Sequence, residues 1–247
     1  TNYTESGNWD VDFRRFNNPN DGYMDEIFNL RDTYFADFIV LIIDNSTYCG
    51  EASRILANES TALCMVSSRY NCLTSNYSFA HELGHLMGCR HNPETDPTNY
   101  PFSYGHGFCC SNNNWRTIMS YNTSCYNRIN YWSNPNIIYS GVQMGTVQTH
   151  NNVRELNETE NIVNLFRLTP VNYIIPNEIV NNYNIADFFA HLTLETSESF
   201  IAEENSITTL RAGNEIILSS GFHAKFNSNL HAYIDNCNSN YLQYKTT

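Results

Sequence analysis

Residues 81–91 read His-Glu-Leu-Gly-His-Leu-Met-Gly-Cys-Arg-His, and this stretch constrains the chain more than any other. On a helix, His81 and His85 lie one turn apart on one face, so both imidazoles can reach a single ion. Glu82 is adjacent but rotated off the metal axis, which suits a base acting on water better than a ligand. Gly88 can adopt a positive φ, which ends a helix and turns the chain. That turn lets His91 come back as a third ligand. Three protein ligands leave a fourth position open, the arrangement of a reacting zinc and not of a structural one. The alternative is an amphipathic helix with surface histidines. The glycine and the third histidine at fixed spacing argue against it.

The chain has 247 residues, 41% of them hydrophobic, enough for one large domain or two modest ones. No apolar run approaches the length of a membrane span. A formal net charge of −12 argues against nucleic acid or an anionic membrane as partner. Lysine occurs only as Lys225 and Lys245, while asparagine is abundant, a bias with no functional account at the level of sequence. The eight cysteines are Cys49, Cys64, Cys72, Cys89, Cys109, Cys110, Cys125 and Cys237. They form no C-x-x-C pair, which argues against a second, structural zinc. Scattered cysteines read as disulfides of an extracellular protein, with reduced buried thiols as the alternative. Cys49 with Cys72, and Cys109 or Cys110 with Cys125, are the expected pairs. No signal peptide opens the chain, so Thr1 is read as an internal or processed start of a secreted protein.

Along the chain, residues 1–20 are polar, and Tyr3–Gly7 reads as the tail of a strand. Asp21 is expected to cap a helix over about 23–35. Residues 37–44 form a buried apolar strand bounded by acids, and 62–69 a further strand near the sheet edge. The active-site helix runs from Asn76 to Met87. Residues 92–130 lose periodicity and hold several Pro and Gly, as functional loops do. Asn130–Asn136 is turn-rich, and 151–168 is a helix ended by Pro170. Residues 170–185, with Pro170 and Pro176, read as a linker. From 186 to 247, β-formers cluster between Gly and Asn turns, as in a small all-β domain. His191 and His223 lack metal spacing and read as ordinary surface or packing residues.

The zinc signature, with Thr117-Ile-Met119-Ser-Tyr121 downstream, resembles the metzincin metallopeptidases. The resemblance covers residues 1–169. It also rests on Asp21-Gly-Tyr-Met-Asp-Glu26, Tyr104-Gly-His-Gly107 and Arg128-Ile-Asn-Tyr-Trp-Ser-Asn-Pro135, and it is nearest to the reprolysin-like, peptidyl-Asp metalloendopeptidase group. It implies an α/β (α+β) catalytic domain with a long active-site helix and an irregular lower subdomain. It implies one catalytic zinc on His81, His85 and His91, with Glu82 as general base. Met119 would be the Met-turn methionine, an apolar floor beneath the zinc, and Tyr121 a stabiliser of the oxyanion. Reprolysin-like enzymes usually carry Asp after the third histidine, where this chain has Asn92. Metzincins also begin with a strand and a helix before the first strand seen here, so the chain is read as starting after them. Residues 186–237 resemble the three-coathanger stack module of secreted bacterial proteins, which implies an accessory role.

These readings together predict a secreted zinc endopeptidase acting on protein or peptide substrates. Calcium is a second candidate cofactor, for which the sequence offers no motif, and no feature fixes the oligomeric state. The resemblance further implies cleavage before an acidic residue, usually Asp. That requires a cation beside the zinc, and Arg116 and Arg128 are the candidates, Arg128 the preferred one. Two rivals are a catalytically silent scaffold used for binding or adhesion, which the presence of Glu82 disfavours, and a toxin-like protease with one narrow target.

Overall fold

In a computed structural model, residues 2–168 and 170–234 are described, and the chain divides into two units, Thr1–Arg167 and Leu168–Thr247. In the first unit, Tyr3–Gly7 is irregular and not the tail of a strand, and a short helix, α1 (Trp9–Phe16), follows within the polar stretch 1–20. Its signals are local. The Asn8 side chain caps it by accepting from the Val11 N–H, Asp10 and Asp12 lie in the first turn, and Arg14 and Arg15 lie in the last. The next helix, α2 (Glu26–Thr33), is shorter than the expected 23–35. Asp25 stands at its N-cap, and the Asp25 carboxylate accepts from the Gly22 N–H at 3.1 Å. Asp21 therefore belongs to the preceding turn and not to the cap.

The sheet of this unit has the order β1 (Ile39–Ile43), β3 (Leu63–Ser67), β2 (Gly50–Ala52). β3 pairs parallel to β1 and antiparallel to β2. The expected roles of the two long strands are reversed. β3 is central and buried at every residue, whereas β1 lies at an edge and leaves Ile42 49% exposed. Strand parity divides the core, because alternate side chains face opposite sides of a sheet. Ile39, Leu41, Ile43, Leu63 and Met65 pack against α1 and the α2 region through Trp9, Phe16 and Met24. Val40 and Cys64 on the opposite face pack with Leu83 and Leu86 of α3 (Ser78–Leu86) and with Val163 of α4 (Asn152–Val163). The sheet is thus covered on both faces, and β2 forms the rim next to α3.

The stretch 92–130 is largely irregular and holds a small sheet of β4 (Cys109–Cys110), β5 (Trp115–Arg116) and β6 (Asn127–Arg128). A hairpin of β7 (Asn134–Tyr139) and β8 (Val142–Met144) follows, its first strand beginning inside the 130–136 segment expected to be turn-rich. Ser140 and Gly141 both have positive φ, the conformation that two-residue hairpin turns require. Disulfides join Cys49 to Cys72 and Cys109 to Cys125, while Cys64, Cys89 and Cys110 are buried thiols. Each closes a loop of a length for which the entropic contribution is about 3 kcal/mol. Cys237 lies outside the described residues. No helix among the described residues is long and apolar enough to cross a membrane.

The second unit is a stack of parallel strands. The segment read as a linker already contributes β9 (Asn172–Ile175) and β10 (Ile179–Val180), followed by β11 (Ile185–Ala190). The next turn supplies β12 (Thr193–Thr196), β13 (Ile201–Ala202) and β14 (Ile207–Ala212). The third supplies β15 (Glu215–Ile217), β16 (His223–Ala224) and β17 (Asn229–Ile234). Strands of successive turns pair in three separate parallel sheets, β9-β12-β15, β10-β13-β16 and β11-β14-β17. Ile185, Ile207 and Asn229 stack at 22-residue steps, which marks a β-solenoid with three turns among the described residues. The first two turns pack Phe188 and Leu210, and Ala190 and Ala212, into one core. One corner repeats in detail. Tyr183, Asn205 and Asn227 all have positive φ, and the Asn205 amide donates to the Asn182 side chain at 3.3 Å. Asparagine tolerates the left-handed conformation better than most residues, which accounts for part of its abundance here.

Candidate metal centre and cleft

The chain enters α3 through Tyr77, and the helix ends in a Schellman motif. The Gly88 N–H donates to His85 O and the Cys89 N–H to Gly84 O, with Gly88 at φ 106°. The helix covers Ser78–Leu86, two residues shorter at its start and one at its end than expected. After the turn, Arg90 bridges His106, the Arg90 N–H donating to Gly105 O and the Gly107 N–H to Arg90 O. This pairing returns His91 toward α3. His91 Nε2 lies 3.1 Å from His81 Nε2 and 3.0 Å from His85 Nε2.

The donor set fits a metal ion. His81 Nδ1 lies 2.8 Å from Ile118 O, and His85 Nδ1 lies 2.8 Å from Cys89 O. Those carbonyls hold the proton on Nδ1 and free the Nε2 lone pairs, which converge on one point. Burial is the main cause of lowered histidine pKa values, with His85 at about 4 and His91 at about 3, and His81 well below its ordinary value. All three rings are therefore neutral at pH 7, the form that binds metals. Their potential ligand atoms lie within 4.8 Å of one another.

Glu82 is buried beside this cluster. Burial pushes its carboxyl up to about 8, Arg128 pulls it down, Glu51 raises it and the Ala52 backbone lowers it. A divalent cation on the histidines would act in the same direction as Arg128. Space for the carboxylate comes from β2. A Cβ on Gly50 would lie 2.5 Å from Glu82 Oε1 and 2.6 Å from its Cγ. Met119 is fully buried under the helix, where a Cβ on Gly84 would meet its Sδ at 2.7 Å. Tyr121 stacks on His91 with ring centroids 3.8 Å apart and remains 46% exposed. The cleft is lined by Gly50, Glu51, Ala52, Arg54 and Ile55 on one side, and by His81, Glu82, His85, His91 and Tyr121.

The family pattern described as metallo-peptidase family M12, Reprolysin_5, matches residues 2–133. The chain belongs to this family. It is 49% identical over 170 residues to a peptidyl-Asp metalloendopeptidase of Xanthomonas campestris, covering 68% of this chain and 40% of that one. A peptidyl-Asp metalloendopeptidase of Stenotrophomonas maltophilia is 48% identical over 171 residues, with the same coverages. One from Pseudomonas fragi is 39% identical over 141 residues, which is 56% of this chain and 72% of that relative. The chain thus spans about 40% of the length of the first two relatives.

Within this chain of the M12 family, the two candidate arginines stand outside the cleft lining. β5 and β6 pair in parallel with Arg116 directly opposite Arg128. Arg128 donates to Asn76 O at 2.7 Å and Ser120 O at 3.2 Å, and Arg116 to Cys125 O at 2.7 Å and to Tyr126 O. Both Nε atoms are buried without a hydrogen-bond partner. Burial first, and Arg116 second, pull the Arg128 guanidinium down to about 10.

Several residues around the site carried no sequence signal of their own. Asn92, the departure from the usual aspartate, is fully buried, and its Oδ1 accepts the Tyr121 N–H at 2.8 Å. An amide oxygen here makes the bond from the metal loop to the Met119 turn. The Gly50 cradle for Glu82 lies on a three-residue strand too short to recognise by alternation.

Proposed function

We propose that this chain is a secreted zinc endopeptidase in which His81, His85 and His91 hold the ion and Glu82 is the general base. The observation that carries the reading is the convergence of three neutral imidazoles next to a buried carboxylate in an open cleft. When bound, the ion would polarise the scissile carbonyl and bring the pKa of a water toward ~7. Glu82 takes the proton of the attacking water and passes it to the leaving amine. Tyr121, stacked on His91 at the cleft wall, donates its phenol to the developing oxyanion. Met119 supplies the apolar floor. The first unit is read as the catalytic domain and the second as a non-catalytic β module. Two disulfides support an oxidising, extracellular setting.

Gly50→Ala tests the cradle around the base. The added methyl collides with the Glu82 carboxylate, and displacement of a reacting group by about 1 Å costs about 10²-fold in kcat. Zinc content should be unchanged, because the histidines do not touch residue 50. A variant with normal turnover would mean that β2 yields instead and that the cradle is irrelevant.

We further propose that cleavage falls before an acidic residue, in line with the name carried by the relatives. Supporting this are two arginines held side by side with no carboxylate in ion-pair distance among the described residues. Like charges placed opposite each other on neighbouring strands repel. A substrate carboxylate that reached Arg128 would relieve that repulsion, competing with Asn76 O and Ser120 O for its fork. The net charge of −12 opposes acidic substrates only at long range, since screening acts within about 8 Å at physiological salt. The experiment is digestion of a peptide library by wild type and Arg128→Gln, each with and without a chelator. Wild type should cut before Asp, lose all cutting with the chelator and regain it with zinc. Arg128→Gln should lose the acidic preference by about tenfold or more. No chelator-sensitive cutting refutes the endopeptidase reading, and an acidic preference that survives the mutation transfers the role to Arg116.

A further inference from the structure

The first turn of α4 drives a carboxyl group into the back of the metal loop. Glu155 is fully buried; neither of its oxygens makes a hydrogen bond of good geometry, and the polar groups beside it are the Cys89 thiol and the Asn152 side chain. The space it fills exists because two residues lack a side chain. A Cβ on Gly88 would lie 2.8 Å from Oε1, and one on Gly105 would collide with Oε2. Gly88 is the C-terminal glycine of the helix that carries His81 and His85. Gly105 O accepts from the Arg90 N–H at 2.8 Å, one residue before His91, and from the Asn152 amide at 2.8 Å. The carboxyl therefore lies against Gly88, in the turn that separates the second metal-site histidine from the third, and against Gly105, in the segment that pairs with Arg90 at the end of that turn.

We propose that Glu155 is a positioning residue for the metal centre, whose carboxyl fills the cradle of Gly88 and Gly105 and braces the turn that returns His91 to His81 and His85. This inference rests on the reading of the three histidines as metal ligands. The carboxyl serves this purpose in its neutral form. An ionised carboxylate enclosed with only a thiol and an amide beside it is strongly unfavourable, and the usual response is to keep the proton. Burial is the main force raising Glu155, to about 8, against the Cys89 thiol and Asn152 side chain, which lower it. The other charged or titratable groups facing it are Arg90, which lowers it, Glu158, which raises it, and Tyr104. With a folded pKa above that of the unfolded chain, the acid contributes most to the fold below its unfolded pKa, and that contribution is lost as pH rises to about 8. Ionisation would then loosen the turn and weaken the hold on the ion.

The test is zinc affinity, measured by competition with a chromophoric chelator between pH 6.5 and 9, on the full chain. Glu155→Ala should bind zinc about 10–100-fold more weakly at pH 6.5, the usual effect of removing a group that orients a ligand. Glu155→Gln, which mimics the neutral acid, should bind as wild type does at pH 6.5. It should also keep its affinity at pH 9, where wild type has lost part of its own. Glu82 titrates in both proteins, so the difference between them isolates Glu155. Wild-type affinity in Glu155→Ala, or the same pH profile in wild type and Glu155→Gln, overturns the proposal. If the alanine variant does not fold, the second comparison decides alone. Weak binding by Glu155→Gln at pH 6.5 also overturns it, because a charged carboxylate would then be needed. Wild type that binds no zinc would overturn the metal-centre reading itself, and this inference with it.

Discussion

Replacing Glu82 by Gln should lower kcat by about 10²–10⁴-fold while zinc stays bound in full. The substitution keeps the shape that fits against Gly50 and removes only the capacity to accept a proton. It keeps the metal because the three imidazoles are oriented by Ile118 O, Cys89 O and the Arg90–His106 pairing, none of which involves residue 82. Two measurements are needed, turnover on a chelator-sensitive peptide and zinc content of the same preparation. Low turnover with lost zinc would make Glu82 a structural support. Near-normal turnover with zinc retained would remove it from the mechanism.

His85→Ala should abolish stoichiometric zinc and with it all peptide hydrolysis. His85 lies one helical turn from His81, and its Nε2 is 3.0 Å from that of His91. Its removal leaves two ligands where a zinc with an open position uses three. It also leaves the buried Cys89 carbonyl without the ring N–H it meets at 2.8 Å, a second cost that the ion cannot offset. Dialysis against zinc-buffered solution followed by metal analysis reads the result. A variant that holds one zinc per chain with full activity would show that the ion is bound elsewhere.

The metal site was legible in sequence because its geometry is local. His81, Glu82 and His85 take their relative positions from the helix repeat, and Gly88 declares its positive φ by being glycine. Only the His91 return depends on distant residues, and there the signature stands for a pairing with His106 that no local rule contains. What was missed is of two kinds. Strand order failed because apolar character does not tell a central strand from an edge one. Residues 39–43 are the more hydrophobic run, yet β3 is the strand with neighbours on both sides. Glu155 was invisible because nothing in an amphipathic helix marks a buried acid apart from its exposed neighbours.

The repeat of the second unit escaped for a different reason. Its turns share only scattered residues, such as Phe200 with Phe222 and Asn205 with Asn227. Other equivalent positions vary freely, as Phe188, Leu210 and Ala232 do, so the repeat is diluted. Two prolines near its start also gave the first turn the look of a connector. The clearest shared feature is the left-handed corner at Tyr183, Asn205 and Asn227, which keeps Asn-Ser in both later turns.

That stacking makes length a quantised trait for the second unit. Each turn adds one layer of about 4.8 Å along the stack, the spacing between hydrogen-bonded strands. Duplication of a whole turn leaves every inward residue facing inward and every corner at a corner. An insertion of any other length inside a strand moves all later residues off their faces and must be expelled as a loop at a corner. Descendants of this chain are therefore free to grow or shrink in steps of one turn. Variation of any other size is confined to the three edges where the strands end.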